Sequence, residues 1–136
     1  MSKGNTTEND FITLLARGTV PGWNGNANLY WSLHTADPGE GGSQTTSEAS
    51  YTGYARVAVS RDVAGLTISG NQMSNAALTQ FGICTSGSET ITHCSLGTAS
   101  SGTGQILYSG ALSVSLAVSA PIQPQFAIGA LTVTED

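Results

Sequence analysis

Leu33-His34-Thr35-Ala36-Asp37-Pro38-Gly39-Glu40 and Tyr51-Thr52-Gly53-Tyr54-Ala55-Arg56-Val57-Ala58-Val59 bound the stretch that decides how this chain folds. The first run closes a strand. Upstream of it Leu29, Trp31 and Leu33 alternate with Tyr30, Ser32 and His34, the period-two pattern that sends Trp31 to a core. Asp37-Pro38-Gly39 then turns the chain, because proline presets φ and glycine accepts a positive one. A polar excursion follows, in which Glu48-Ala49-Ser50 is compatible with one helical turn. Alternation returns over residues 54–60, with Ala55, Val57 and Val59 on one face and Tyr54, Arg56 and Ala58 on the other. Two strands joined by a long loop are the seed of an antiparallel β fold.

The remaining chain repeats this pattern in short pieces. Strands are expected at residues 66–69, 72–75, 78–83, 90–96, 105–118 (interrupted near Gly110), 125–128 and 131–134. Gly65, Gly70-Asn71, Ser86-Gly87-Ser88, Gly97 to Gly104 and Ala120-Pro121 separate them. Eight or nine short strands with regular turns imply an all-β antiparallel sandwich, jelly-roll-like, with long loops at one end. One short N-terminal helix precedes it. Asn5 or a following Thr caps it, Glu8 and Asp10 sit near its positive end, and Gly18 stops it after Arg17. Phe11, Leu14 and Leu15 make one apolar stripe. Two to three turns are too short to stand alone in water, so this helix must dock. The length suits a single domain, residues 1–136, with a helix and arm over 1–27 and the sandwich over 28–136. Trp23, in the loop Val20-Pro21-Gly22-Trp23-Asn24-Gly25-Asn26, is an anchor either for its own core or for a partner.

Charge is scarce and unevenly placed. Charged residues are 10% of the chain, against roughly 25% in ordinary soluble domains. From Val63 to Thr134 the only charged side chain is Glu89. Charge is depleted in the cores of protein interfaces, which favours a chain packed against partners over a free monomer covered with hydroxyls. A net charge of −5 with only Lys3, Arg17, Arg56 and Arg61 as cations argues against nucleic acid as a partner. No stretch reaches the roughly 18 apolar residues of a membrane span, and the polar opening Met1-Ser2-Lys3-Gly4-Asn5 is unlike a signal peptide. Synthesis in the cytoplasm is therefore expected, with Cys84 and Cys94 as reduced, half-buried thiols. Two cysteines without a matching histidine cluster do not make a zinc site.

Catalytic readings are weak throughout. Ser, His and Asp occur, but no Gly-x-Ser-x-Gly lies at a strand-to-helix turn. Asp37, Glu40 and Glu48 share a loop but are too sparse for a calcium site, and read as solvated turn residues. The glycine-rich Gly97 to Gly104 lacks the lysine and following helix of a phosphate loop and reads as mobile. Arg56, mid-strand among tyrosines, is expected to pair with an acid from the Asp37–Glu48 loop and hold that loop on its strand. No catalytic, metal or cofactor residues are assigned. The candidate protein-interface residues are Phe11, Leu15, Trp23, Tyr30 and Tyr54.

Ser32-Leu33-His34-Thr35-Ala36-Asp37-Pro38-Gly39-Glu40, followed by Gln44-Thr45-Thr46-Ser47-Glu48 and Tyr51-Thr52-Gly53-Tyr54-Ala55-Arg56-Val57, resembles a small-protein family of tailed bacteriophages. The likeness extends to Ile91-Thr92-His93, Ser109-Gly110-Ala111-Leu112 and the ending Gly129-Ala130-Leu131-Thr132-Val133-Thr134-Glu135-Asp136. Cys94-Ser95-Leu96 departs from it. Members are frequently labelled tail fibre proteins. The size, acidity and strand pattern also resemble capsid cement (decoration) proteins. The resemblance implies a non-enzymatic virion protein without cofactors. As a capsid cement or decoration protein it would bind the major capsid protein on the capsid surface and itself as a homotrimer, bridging capsomers. Tail fibre or baseplate component is the alternative within the virion. A carbohydrate-binding β-sandwich module is the alternative outside it, with Trp23, Tyr30 or Tyr54 as stacking platforms.

Overall fold

The strand holding Trp31, β2 (Asn28–His34), lies inside a five-stranded antiparallel sheet in the computed structural model, which describes residues 1–136. It pairs with β3 (Val57–Ser60) on one side and β7 (Ser88–Gly97) on the other. Beyond β7 come β8 (Ile106–Ser119) and the short β1 (Ser2–Lys3). A three-stranded sheet of β10 (Thr132–Thr134), β5 (Gln72–Asn75) and β4 (Leu66–Ser69) supplies a second layer. A pair of two-residue strands, β6 (Thr79–Gln80) and β9 (Gln125–Phe126), accompanies it. The all-β sandwich with an N-terminal helix is therefore observed. Its strands divide five, three and two, so the likeness to a jelly roll lies in its layers and not in two equal sheets.

The apolar face of β2 makes the core. Trp31, Leu33, Leu96, Cys94, Ile91 and Phe81 are at most 1% exposed. Cys84 and Cys94 are both free and buried. Burial pushes the Cys94 thiol up to about 12, so no thiolate forms there at neutral pH.

On the other face of β2 Ser32 and His34 are fully buried, while Tyr30 is half-buried. Loop residues 35–56 cover that face with hydrogen bonds. His34 Nδ1–H donates to the Thr46 carbonyl at 2.8 Å, and Ser95 Oγ donates to His34 Nε2 at 2.8 Å. Gln44, fully buried, donates to Ser32 Oγ at 2.8 Å and accepts from the Ala99 N–H at 2.9 Å. Gly97 and Gly104 flank it, and a Cβ on either would overlap its amide. Arg56 clasps Glu48 with two bonds of 2.6 and 2.8 Å, as expected for a loop held to its strand. Its remaining donors hold the Ala99 and Gly102 carbonyls at 2.9 and 2.7 Å. The glycine-rich loop is thus tied down by Arg56 and Gln44, in contrast to the mobile loop expected. Residues 54–56 leave the strand because Tyr54 and Arg56 turn toward Glu48. Glu48 itself bridges to His34 rather than forming a helical turn.

Two irregularities shape β8, which runs through Gly110 without the expected break. Ile91 pairs with Leu116 and His93 with Ala111, so Thr92 alone faces residues 112–115. Leu96 pairs with Tyr108 and Gly97 with Ile106, which leaves Leu107 as an extra residue. Bulges of this kind re-aim side chains.

Helix α1 (Asn5–Arg17) follows β1 directly. Its N-cap is Gly4, whose N–H bonds the Leu107 carbonyl, and no side chain caps it, in contrast to the Asn5 or Thr cap expected. Gly18 closes it at φ 66°, the left-handed conformation that suits glycine. Thr7, 1% exposed, donates to the Ile106 carbonyl at 2.9 Å and anchors the helix on β8. That contact selects the Thr7, Phe11, Leu14 side for docking. Leu15 is therefore turned outward, 87% exposed, rather than sharing the buried stripe.

Candidate functional site: an apolar trough at the mouth of the sandwich

The two layers do not close completely. Between α1, the β4–β5 hairpin and the five-stranded sheet lies a trough of about 650 Å3, with Leu29, Leu96 and Leu107 at its base and Phe11, Trp23, Ile68 and Met73 around it. A second hollow of about 460 Å3 shares Phe11, Ile68, Met73 and Tyr108 with it and adds Leu15 and Val133. The extra residue of β8 explains part of the apolar lining, since Leu107 and Tyr108 both face the trough. Ile68 and Val63 stand at its lip, 77% and 92% exposed.

Trp23 is fixed by three contacts. Its Nε1–H donates to Asp10 at 2.8 Å, its ring meets Phe11 edge-on at 6.1 Å, and the Arg61 guanidinium lies 5.6 Å from it. Of the two roles open to Trp23, it fills the first as an internal anchor and still offers ring surface to the trough.

The polar groups around the trough are already engaged. Arg61 Nη1 donates to the carbonyls of Trp23, Asn24 and Asn26. Asp62 accepts from Ser60 and from the N–H groups of Ala64 and Gly65, which hold its carboxyl below the usual range. Lys3 pairs with Glu135 at 2.6 Å, and Tyr108 donates to the same carboxylate. What the trough presents is apolar surface without converging free donors or acceptors. Such a site takes apolar side chains, since a polar ligand would lose its hydration without replacement bonds.

Phe11 and Trp23 are thus brought together at the trough, and Leu15 lines only the adjoining hollow. Tyr30 and Tyr54 lie elsewhere. Tyr30 is on the polar face of β2, where its carbonyl accepts from Gln44 at 3.4 Å. Tyr54 stacks on Phe81 at 6.1 Å, accepts from the Leu33 N–H and donates to Glu48. Burial, above all, raises its pKa. Sequence reading missed Ile68, Met73 and Tyr108. Leu66 and Ile68 do alternate in one short strand, but nothing local shows that this hairpin ends beside a helix.

His34 and Ser95 have the spacing of a base and a nucleophile, yet both are fully buried, and burial lowers the His34 pKa. Asp37 is not their partner and accepts instead from the Gly39 N–H at 2.8 Å. No three His, Cys, Asp or Glu side chains are grouped to hold a metal ion. No helix is long and apolar enough to cross a membrane.

A family model described as Podophage GP4 fiber I protein gp80 matches residues 2–134. No curated protein matches the chain.

Proposed function

This chain belongs to the family of Podophage GP4 fiber I protein gp80, structural proteins of the phage virion, and we propose that within the particle it is a component of the tail fibre. The match over residues 2–134 carries this reading. The trough supports it, because a protein that assembles needs exposed apolar surface without free charge at its centre. The protein acts without catalysis, metal or cofactor. Its partners are other virion proteins and further copies of itself, and it binds neither nucleic acid nor membrane.

The capsid cement reading rests on the same surface but not on the family's description. Sugar binding has less support, since the trough lacks the free polar groups that orient a glycan. Immunogold labelling of source particles, with copies per virion counted by mass spectrometry, tests the proposal. Label confined to the tail with few copies is expected. Label spread over the head would overturn the fibre assignment and favour the capsid surface.

A further inference from the structure

His34 and Ser95 are both sealed, at 0% exposure, beneath the loop of residues 35–56. Thr46 offers the ring a carbonyl, which can only accept, so Nδ1 carries a proton there at 2.8 Å. In the neutral ring Nε2 is then a lone pair, and the Ser95 hydroxyl is its donor at 2.8 Å. The bonding pattern thus fixes one neutral tautomer. A second ring proton turns Nε2 into a donor. Ser95 must then rotate to accept, and its own hydroxyl proton loses that acceptor in a fully buried place.

The charges facing the ring oppose the same proton. Arg56, with a side chain 2% exposed, already takes both oxygens of Glu48, and Tyr54 donates to that carboxylate too. His93 stands opposite His34 in register on the neighbouring strand, on the same face, so a proton on either ring opposes one on the other. Asp37 and Glu40, the loop's other acids, are exposed and bound to the Gly39 N–H and the Ser2 hydroxyl. Glu48 is left as the one facing carboxylate, and it is already shared.

The loop that His34 holds also holds its neighbour. Gln44 accepts from the Ala99 N–H, and Glu48 positions Arg56 on the Ala99 and Gly102 carbonyls. Thr46 lies between these two residues. We propose that residues 35–56 form an acid-released strap: a proton on His34 detaches Thr46 and Glu48 from β2 and frees the 98–104 loop with them, while the five-stranded sheet stays paired. The strap is fixed in the chain at both ends, so its release is local and reversible. In the released state the ring is hydrated and takes a proton near its ordinary value of about 6.5. The closed strap is therefore fully favoured above that pH and loses ground as pH falls below it. This device goes beyond the fibre reading and does not depend on it.

Amide exchange of the full chain at pH 7 and pH 5, corrected for the intrinsic pH dependence of exchange, tests the proposal. Ala49 donates to the Leu33 carbonyl and Ala99 to Gln44, so both report the strap. Their opening should rise by about tenfold, the ceiling for one histidine over this range being about 25-fold. Leu96, inside the sheet, should not change. His34→Gln cannot take the proton, and its loop opening should be the same at both pH values. His93→Gln removes the facing ring and should shift the wild-type rise to lower pH. Equal protection of Ala49 and Ala99 at the two pH values would overturn the proposal. So would a rise shared by Leu96, which means global unfolding, or a rise that persists in His34→Gln. Should His34→Gln fail to fold, the ring resonances of the wild type replace it: His34 protonated with Ala49 still protected would refute the strap.

Discussion

From Trp31 to His34 both faces of β2 are buried, by opposite means. Trp31 and Leu33 are covered by side chains of the second layer. Ser32 and His34 are covered by a loop through directed hydrogen bonds. Apolar burial is non-directional and tolerates substitution by shape. Polar burial requires each donor to meet its acceptor, and a half-satisfied network is worse than none. One face therefore specifies that the sheet is covered, and the other specifies which loop covers it and in what register.

The comparison breaks if the polar face proves dispensable. Arg56→Ala strands the Glu48 carboxylate, which is 16% exposed, and should cost about 3–5 kcal/mol. Trp31→Ala should cost a similar amount, about 3–5 kcal/mol, by opening a cavity. Urea unfolding measures both. An Arg56→Ala cost below about 1 kcal/mol would reduce the clasp to a surface ion pair. The double variant Arg56→Met with Glu48→Leu sharpens the contrast, because an apolar replacement of both partners is often neutral, whereas the carbonyls of Ala99 and Gly102 would still lose their donor.

A smaller effect is expected from Gln44→Ala, about 1–3 kcal/mol, since it leaves the Ala99 N–H without its acceptor. Amide exchange of Ala99 should accelerate by more than that of Leu96 in the adjoining strand. Equal acceleration would mean that Gln44 supports the whole sheet and does not hold one loop.

The smallest effect concerns pH. Burial lowers the pKa of His34 from 6.5, against the Thr46 carbonyl and Glu48, which raise it, while Arg56 and His93 lower it further. The unfolded chain then binds more protons as pH falls below 6.5. Stability contributed by neutral His34 is complete above 6.5 and is lost as pH drops toward the depressed value. Chemical denaturation between pH 7 and 5 should show this slope, and His34→Gln should flatten it. An unchanged slope in that variant would assign the acid sensitivity elsewhere.

Much of the architecture is readable from local pattern. The alternation around Trp31, the Asp37-Pro38-Gly39 turn, the Gly18 stop and the pairing of Arg56 with a loop acid all depend on neighbours within a few residues or on charge too rare to have other partners. The trough is different. Phe11 and Leu15 belong to one apparent stripe, yet one lines the hollow and the other also faces solvent, because Thr7 sets the rotation of the helix on β8. Tyr54 looks like an exposed aromatic in sequence, and its hydroxyl is consumed by Glu48.

By itself the sequence determined the all-β class, the single helix, the charge-poor surface and the likeness to a phage virion family, since periodicity, turn chemistry and composition are properties of the chain. Tertiary structure alone decided that β2 is sealed on both faces from Trp31 to His34, that a bulge turns Leu107 toward a trough, and that Arg61 and Asp62 beside the hollow are held by hydrogen bonds. Those outcomes depend on register between residues distant in sequence, and a shift in pairing re-aims every side chain beyond it.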